Sequence, residues 1–158
     1  MSSLEAVDQV QRSFLKHIGV YELFAFMSFN LAPLNLRRDI AMLGLIRRTV
    51  LGLGLQHFQR LFFAETCSDR RTKRCKRHHR QLHEYRQGQY LDMVGRSALG
   101  LTSVYTLLPR EIVEANDVKI CQRLLQDLAR DCASRNVPDW QHMLSTRHRL
   151  HVHPLKRL

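Results

Sequence analysis

Acidic residues are scarce in this chain. Fourteen Asp and Glu face twenty-five Lys and Arg across 158 residues, a formal net charge of +11. No two aspartates are adjacent anywhere. A polymerase or two-metal nuclease holds a pair of Mg²⁺ ions between clustered carboxylates, and no spacing here provides such a cluster. No glycine-rich loop ends in Gly-Lys-Ser or Gly-Lys-Thr, so a phosphate loop of that type is excluded. Cys67, Cys75, Cys121 and Cys132 are the only cysteines, and their spacing is not that of a disulfide framework. The opening MSSLEAVDQV has no secretory pattern, so a reducing, intracellular compartment is expected. The most apolar run, Ile18 to Leu36, is broken by Glu22, Asn30 and Pro33, which makes it a poor membrane span. No internal repeat or simple-sequence tract occurs.

What is present is a hydrophobic content of 44%, enough for one packed domain at this length. A pI near 10.3 favours polyanions as partners, nucleic acid before an anionic membrane. The charge is also concentrated. Between Cys67 and Arg86 stand Arg70, Arg71, Lys73, Arg74, Lys76, Arg77, Arg80 and Arg86, opposed only by Asp69 and Glu84. Almost nothing apolar lies between Ala64 and Leu82, so this stretch cannot bury itself and is expected to be a basic loop without structure of its own. These eight cations are the candidate nucleic-acid-binding residues.

The first half reads as helices. Ser2-Ser3-Leu4-Glu5 has a capping-box pattern, and Leu4, Val7, Val10, Phe14 and Ile18 follow at helical steps until Gly19. Tyr21 to Phe29 is dense in aromatics and reads as a short buried helix. Pro33 ends what precedes it, and Asn35 is the expected N-cap of a helix from Leu36. Leu36, Ile40, Leu43, Ile46 and Val50 fall at steps of four, three, three and four, one apolar arc facing a core. Arg37, Ala41, Gly44 and Arg48 share another face, expected to be a solvated back, with Asp39 answering the helix dipole. Gly52 and Gly54 stop this helix, and Leu55 to Phe63 restarts one, with Phe58 and Phe62 apolar.

The second half is less regular. Tyr85, Tyr90, Leu91, Met93 and Val94 fit a short hairpin around Gly88. Ser97 is placed to cap a short helix carrying Leu99, Leu101, Val104 and Leu108, closed by Pro109. Asn116 or Asp117 then caps a helix whose stripe is Val118, Cys121, Leu124, Leu125, Leu128 and Cys132. Pro138 and Trp140 begin a final turn, and the basic tail from Ser145 to Leu158 contains little to pack.

Zinc prefers four soft or imidazole ligands in closely spaced pairs. Cys75-x2-His78 and His79-x3-His83 have such spacings, but Cys67 stands apart, and these histidines read better as part of a basic loop. His151 and His153 alternate as if on one side of a strand, a weaker case still. Cys121 and Cys132 lie on an apolar stripe and read as small core hydrophobes. Trp140 reads as an anchor for the last turn. Tyr85 and Tyr90, interleaved with basic residues, are the better candidates for stacking on bases.

Three segments in order carry a resemblance. LAPLNLRRDIAMLGLIRRTVLG, from Leu31 to Gly52, is similar to a segment downstream of the polymerase domain in reverse transcriptases of non-LTR (LINE-type) retrotransposons. LEAVDQVQRSFLKHIGV, Leu4 to Val20, resembles the helix that precedes it there, with its leucine, its valine–glutamine and its arginine. Gly95 to Leu128 resembles the closing segment of that region, with Arg96-Ser97, an aromatic, Leu108-Pro109 and a helix of regular leucines. The resemblance implies a post-polymerase, C-terminal fragment of such a polyprotein, with a polymerase domain upstream in the intact protein. The family's tyrosine–x–Asp–Asp motif is absent, so none of its activities transfers to a residue here.

The expectation is therefore a mostly α fold, a small helical bundle with a basic central loop and a short irregular or hairpin segment. Residues 1–63 form its first half, 64–81 the loop, 82–144 a second half packed on the first as one domain, and 145–158 a basic tail. The expected function is non-catalytic, sequence-tolerant binding of RNA or DNA in the nucleus, with no cofactor, no metal and no membrane. A helical protein-interaction module, or a retrotransposon remnant without independent function, is the alternative.

Overall fold

The computed structural model describes residues 3–63, 78–83, 97–146 and 151–157. Among them the chain is helical and contains no strand. The helices are α1 (Ser3–His17), α2 (Glu22–Phe29), α3 (Leu34–Val50), α4 (Gln56–Gln59), α5 (Leu101–Tyr105), α6 (Arg110–Glu114) and α7 (Val118–Ser134). Two 3-10 turns follow, Trp140–His142 and Pro154–Lys156. The expected hairpin around Gly88 falls outside the described residues, as do Tyr85 and Tyr90.

Helix α3 is the hub. It packs most extensively on α7 and also meets α1, α4, α5 and the Trp140 turn. Leu36, Ile40, Leu43 and Ile46 are buried as their spacing requires, and Val50 is half-buried. The core they enter is continuous across the sequence, reaching Phe26, Phe62, Leu82, Val104, Leu108, Leu125, Leu144 and Leu155. The helix begins earlier than expected, with Pro33 rather than Asn35 at its N-cap. Proline has no N–H to orphan and a fixed φ suited to this position. Asn35, one residue inside the helix, sends its Nδ2 2.8 Å to the carbonyl oxygen of Gln141 and so ties α3 to the Trp140 turn. The chain leaves α3 through Gly52 at φ +77°, a left-handed step that favours glycine.

The face carrying Arg37, Ala41, Gly44 and Arg48 is only partly a solvated back. Arg37, Ala41 and Arg48 are exposed, whereas Gly44 is buried beneath α7. A Cβ at Gly44 would overlap the Gln122 side chain. The absent side chain leaves room for the Gln122 side chain against α3.

Helix α1 departs most from its pattern. Leu4, Val7, Val10, Phe14 and Ile18 are 50–68% exposed. The helix instead docks through a seam about 80° away, at 3.6 residues per turn. There Leu15 is buried, Gln11 Nε2 donates to the Ala32 carbonyl at 3.2 Å, and Asp8 receives both arms of Arg38 at 2.7 and 2.8 Å. This paired, charge-assisted fork has the geometry that makes arginine–carboxylate contacts specific, and it holds the Arg38 pKa above its ordinary value. Periodicity identified the apolar face but not the neighbour it meets. Helix α2 likewise buries only Ala25 and Phe26. Phe24, Met27 and Phe29 stay exposed, the two phenylalanines edge to face with ring centroids 5.7 Å apart.

Three further expectations are corrected. The helix from Leu55 to Phe63 is a single turn, α4, because Phe62 enters the core while Leu55, Leu61 and Phe63 remain exposed. The tail is not without packing: Pro154 and Leu155 are buried in a 3-10 turn. His153 is not on a strand. Its Nδ1 accepts from the Leu155 N–H as a cap, and its Nε2 donates to the Ser145 carbonyl at 3.2 Å. Cys121 and Cys132 are buried free thiols, as their stripe suggested, and burial pushes both up from the ordinary thiol range.

Arg47 is the exception inside this core. It is 1% exposed, and its Nη2 donates to the Ala115 carbonyl at 2.7 Å. Nε and Nη1 make no well-formed hydrogen bond, although the guanidinium lies close enough to the buried Tyr105 hydroxyl to act on it, and no carboxylate pairs with it among the described residues. A buried charge without a countercharge is destabilising relative to an apolar side chain of similar volume. We therefore expect Arg47→Met to raise the unfolding free energy by about 1–4 kcal/mol in a denaturant titration. A loss of stability would show that the guanidinium is compensated. In the same titration Leu43→Ala should cost about 2–5 kcal/mol. Phe14→Ser, on the exposed stripe of α1, should stay within about 0.5 kcal/mol of the parent. Equal losses from Leu43→Ala and Phe14→Ser would mean that α1 buries the face described here as open.

Candidate nucleic-acid interface

Of the eight candidate cations only Arg80 is among the described residues; Arg70, Arg71, Lys73, Arg74, Lys76, Arg77 and Arg86 lie outside them. What the structure does define is the frame from which they depart and to which the chain returns. Phe62 is 4% exposed and Leu82 1%, so both flanks are rooted in the core. The His83 N–H donates to the Phe63 carbonyl at 3.2 Å, and the two side-chain rings stack with centroids 5.2 Å apart. The chain before residue 64 and the chain at His83 therefore lie side by side.

The return is pinned further back than composition suggested. The loop was expected to run through Gln81, yet His78 is 4% exposed. Its Nδ1 accepts the Arg80 backbone N–H at 3.1 Å, which leaves the proton on Nε2, and Nε2 donates to the Tyr105 carbonyl at 3.1 Å. The His78 and Tyr105 rings meet edge to face. Gln81 adds a bond from its Nε2 to the His78 carbonyl. An imidazole can replace water with two fixed hydrogen bonds, and this gives the segment a buried anchor that its charge count conceals. Burial holds His78 below its ordinary pKa, the bond to Tyr105 opposing that only in part.

Around this anchor the exposed groups are mostly engaged with one another. Arg80 Nε donates to His79 Nε2 at 3.2 Å. His79 Nδ1 lies 3.4 Å from Glu114, which also accepts from Arg110 Nε at 2.7 Å. The arginine draws the Glu114 carboxyl below its ordinary range. The zinc spacing fails on geometry at His78, whose two ring nitrogens are both occupied inside the core. Among the described residues no group of three His, Cys, Asp or Glu is placed to hold a metal ion. Cys67 and Cys75 lie outside those residues.

Trp140 is an anchor, as expected. It stacks on Phe26 at 5.5 Å with the ring planes 6° apart, and the Arg130 guanidinium lies 5.6 Å from the Phe26 centroid. That face of the indole is covered and unavailable to a base. Among the described residues no helix is long and apolar enough to cross a membrane.

A second concentration of positive charge was missed in the sequence. It lines a groove of about 490 Å³ between α3, α7 and the turn before α3, and includes Arg37, Lys119 and Arg123. The available signal was the arginine on the small-residue strip of α3. Its neighbours on α7 are distant in sequence, so spacing alone did not join them. Comparison with protein-family models, curated proteins and solved structures finds no match to this chain.

The His78 anchor has a pH signature. An unperturbed imidazole titrates near pH 6.5. With its folded pKa below that value, the unfolded chain takes up the proton first as pH falls. Stability from the neutral ring is thus complete above about pH 6.5 and is lost as pH drops through the folded pKa. Stability should fall as pH drops below about 6.5, and His78→Gln should show a smaller fall over the same acid range. Identical pH dependence in the two proteins would mean that the ring is not buried neutral.

Proposed function

We propose that this chain is a non-catalytic nucleic-acid-binding region resembling the post-polymerase, C-terminal part of a LINE-type reverse transcriptase. In an intact polyprotein it would hold template RNA or target DNA beside an upstream polymerase domain. A nuclear location accords with that role. The observation that carries the reading is the segment from Arg70 to Arg86, eight Lys or Arg against Glu84 as the sole acid within it. The buried Phe62, His78 and Leu82 that bracket most of it support the reading, because a tethered cationic excursion can meet a strand without unfolding the body. Such a segment contacts phosphates through guanidinium forks and point charges and reads base edges little.

Binding should be sequence-tolerant and steeply salt-dependent. With roughly four to six phosphates neutralised, the slope of log K against log salt is expected at about −3 to −5. Raising salt from about 50 to 200 mM should then weaken binding by roughly 10²–10³-fold. Titrations of labelled single-stranded RNA and duplex DNA at several salt concentrations measure this. Replacing Arg70, Arg71, Lys73, Arg74, Lys76 and Arg77 by Ser should flatten the slope while circular dichroism stays unchanged.

A second reading, the helical protein-interaction module, is favoured by one observation: the apolar stripe of α1 is exposed along its length. In that reading the helices dock a protein and the basic run serves nuclear import or solubility. Absence of binding to either nucleic acid at low salt, or a full slope in the Ser variant, moves this reading to first place.

A further inference from the structure

We propose that the groove between α3 and α7 is a second phosphodiester-binding site, separate from the basic loop; it rests on the nucleic-acid reading above. Three cations line it, Arg37 from α3 and Lys119 and Arg123 from α7, and no acidic residue does. Their side chains make no hydrogen bond or ion pair with any described residue. Other arginines of the body behave differently. Arg38 is paired with Asp8, Arg110 with Glu114 and Arg135 with Asp131. Arg123 has Asp127 one turn further along α7 but forms no ion pair with it. The groove thus gathers cations whose donors are unengaged among the described residues.

Its shape follows from the sequence of both helices. Gly44, buried at the α3–α7 contact, admits Gln122, whose side chain would otherwise collide there. Small Ala41 and apolar Ile40 line the α3 wall. Gln122 and Gln126 contribute amides from α7, and Gln126 Nε2 donates to Asn30 Oδ1 at 2.7 Å. The result is an apolar wall, three side-chain amides (Asn30, Gln122 and Gln126) and a rim of three cations.

That combination suits a nucleic-acid strand. Lys119 and Arg123 are four residues apart on one helix face, roughly 6 Å along its axis. This is on the order of the separation of successive phosphates in a strand. Arg37 faces them from the other helix, so a phosphate between the walls would meet a guanidinium fork on one side and a point charge on the other. The amides carry both donors and acceptors and are suited to sugar and base edges. The volume, about 490 Å³, is within the range that accommodates a nucleotide-sized group.

The test uses the full chain with Arg37→Gln, Lys119→Gln and Arg123→Gln combined, in the parent and in the loop-Ser background. Its fold is checked by circular dichroism, and substitution of these exposed side chains should leave the spectrum unchanged. With labelled single-stranded RNA, the triple variant should bind about tenfold or more weakly at low salt, and the slope should become shallower by about 2, at roughly −0.7 per phosphate. The loop-Ser protein should keep residual binding that the triple substitution removes. Full affinity and slope in the triple variant, while the parent binds and the loop-Ser variant does not, overturns the groove and leaves the loop reading intact. No binding by the parent overturns both. Inorganic phosphate is the separate arm, followed through the amide resonances of Gln122 and Gln126. Phosphate-induced shifts that the triple substitution abolishes, without loss of RNA affinity, would mark a free-phosphate site and overturn the phosphodiester assignment.

Discussion

Where α3 crosses α7, Gly44 leaves space for one side chain, Gln122, and the two longest buried faces of the protein close on each other. Leu36, Leu43 and Ile46 meet a core shared with Leu125, Ala129 and Cys132. The remaining elements attach to α3, to α7 or to both. The Trp140 turn is tied to α3 by Asn35, the α2–α3 link to α7 through Asn30, and the tail returns through Leu155. A side chain at position 44 would require the flexible Gln122 side chain to move aside.

This seam also determines where charge is displayed. On either side of residues 64–77 the chain is held in the core, at Phe62 before them and at His78 and Leu82 after them. The same crossing brings Arg37 to face Lys119 and Arg123, residues about eighty positions away in sequence. Positive charge is thus gathered on a groove wall as well as in the basic stretch of the sequence. The exposed stripe of α1 is a third surface, attached by the Asp8–Arg38 fork and chemically unlike the others.

Much of the fold was legible in the sequence. The steps from Leu36 to Val50 and from Val118 to Cys132 are unbroken helical periods, and both helices formed with those residues facing inward. Gly19 and Gly52 ended their helices as their left-handed backbones require. What escaped were properties of neighbours. The stripe of α1 is as regular as that of α7, yet its partner face is missing among the described residues, and no feature of α1 itself encodes that. His78 looked like one more residue of a basic loop, because a histidine's burial depends on the carbonyl and N–H it finds, here Tyr105 and Arg80. Asn35 had the composition of a cap, but Pro33 occupied that position and released its amide for a contact with Gln141. The groove was invisible for the same reason, since its two walls belong to separate halves of the chain. The alternation of His151 and His153 suggested a strand, but His153 caps a turn instead.

The central claim is that this helical body meets nucleic acid through its cationic surfaces and not through its apolar one. Backbone amide shifts recorded while single-stranded RNA is added at low salt test it directly. The account predicts perturbations at residues 78–83 and along the groove at Arg37, Lys119, Arg123 and Gln126, with Val7, Val10 and Phe14 unmoved. Shifts confined to α1 and α2, or no shifts at all, would contradict it.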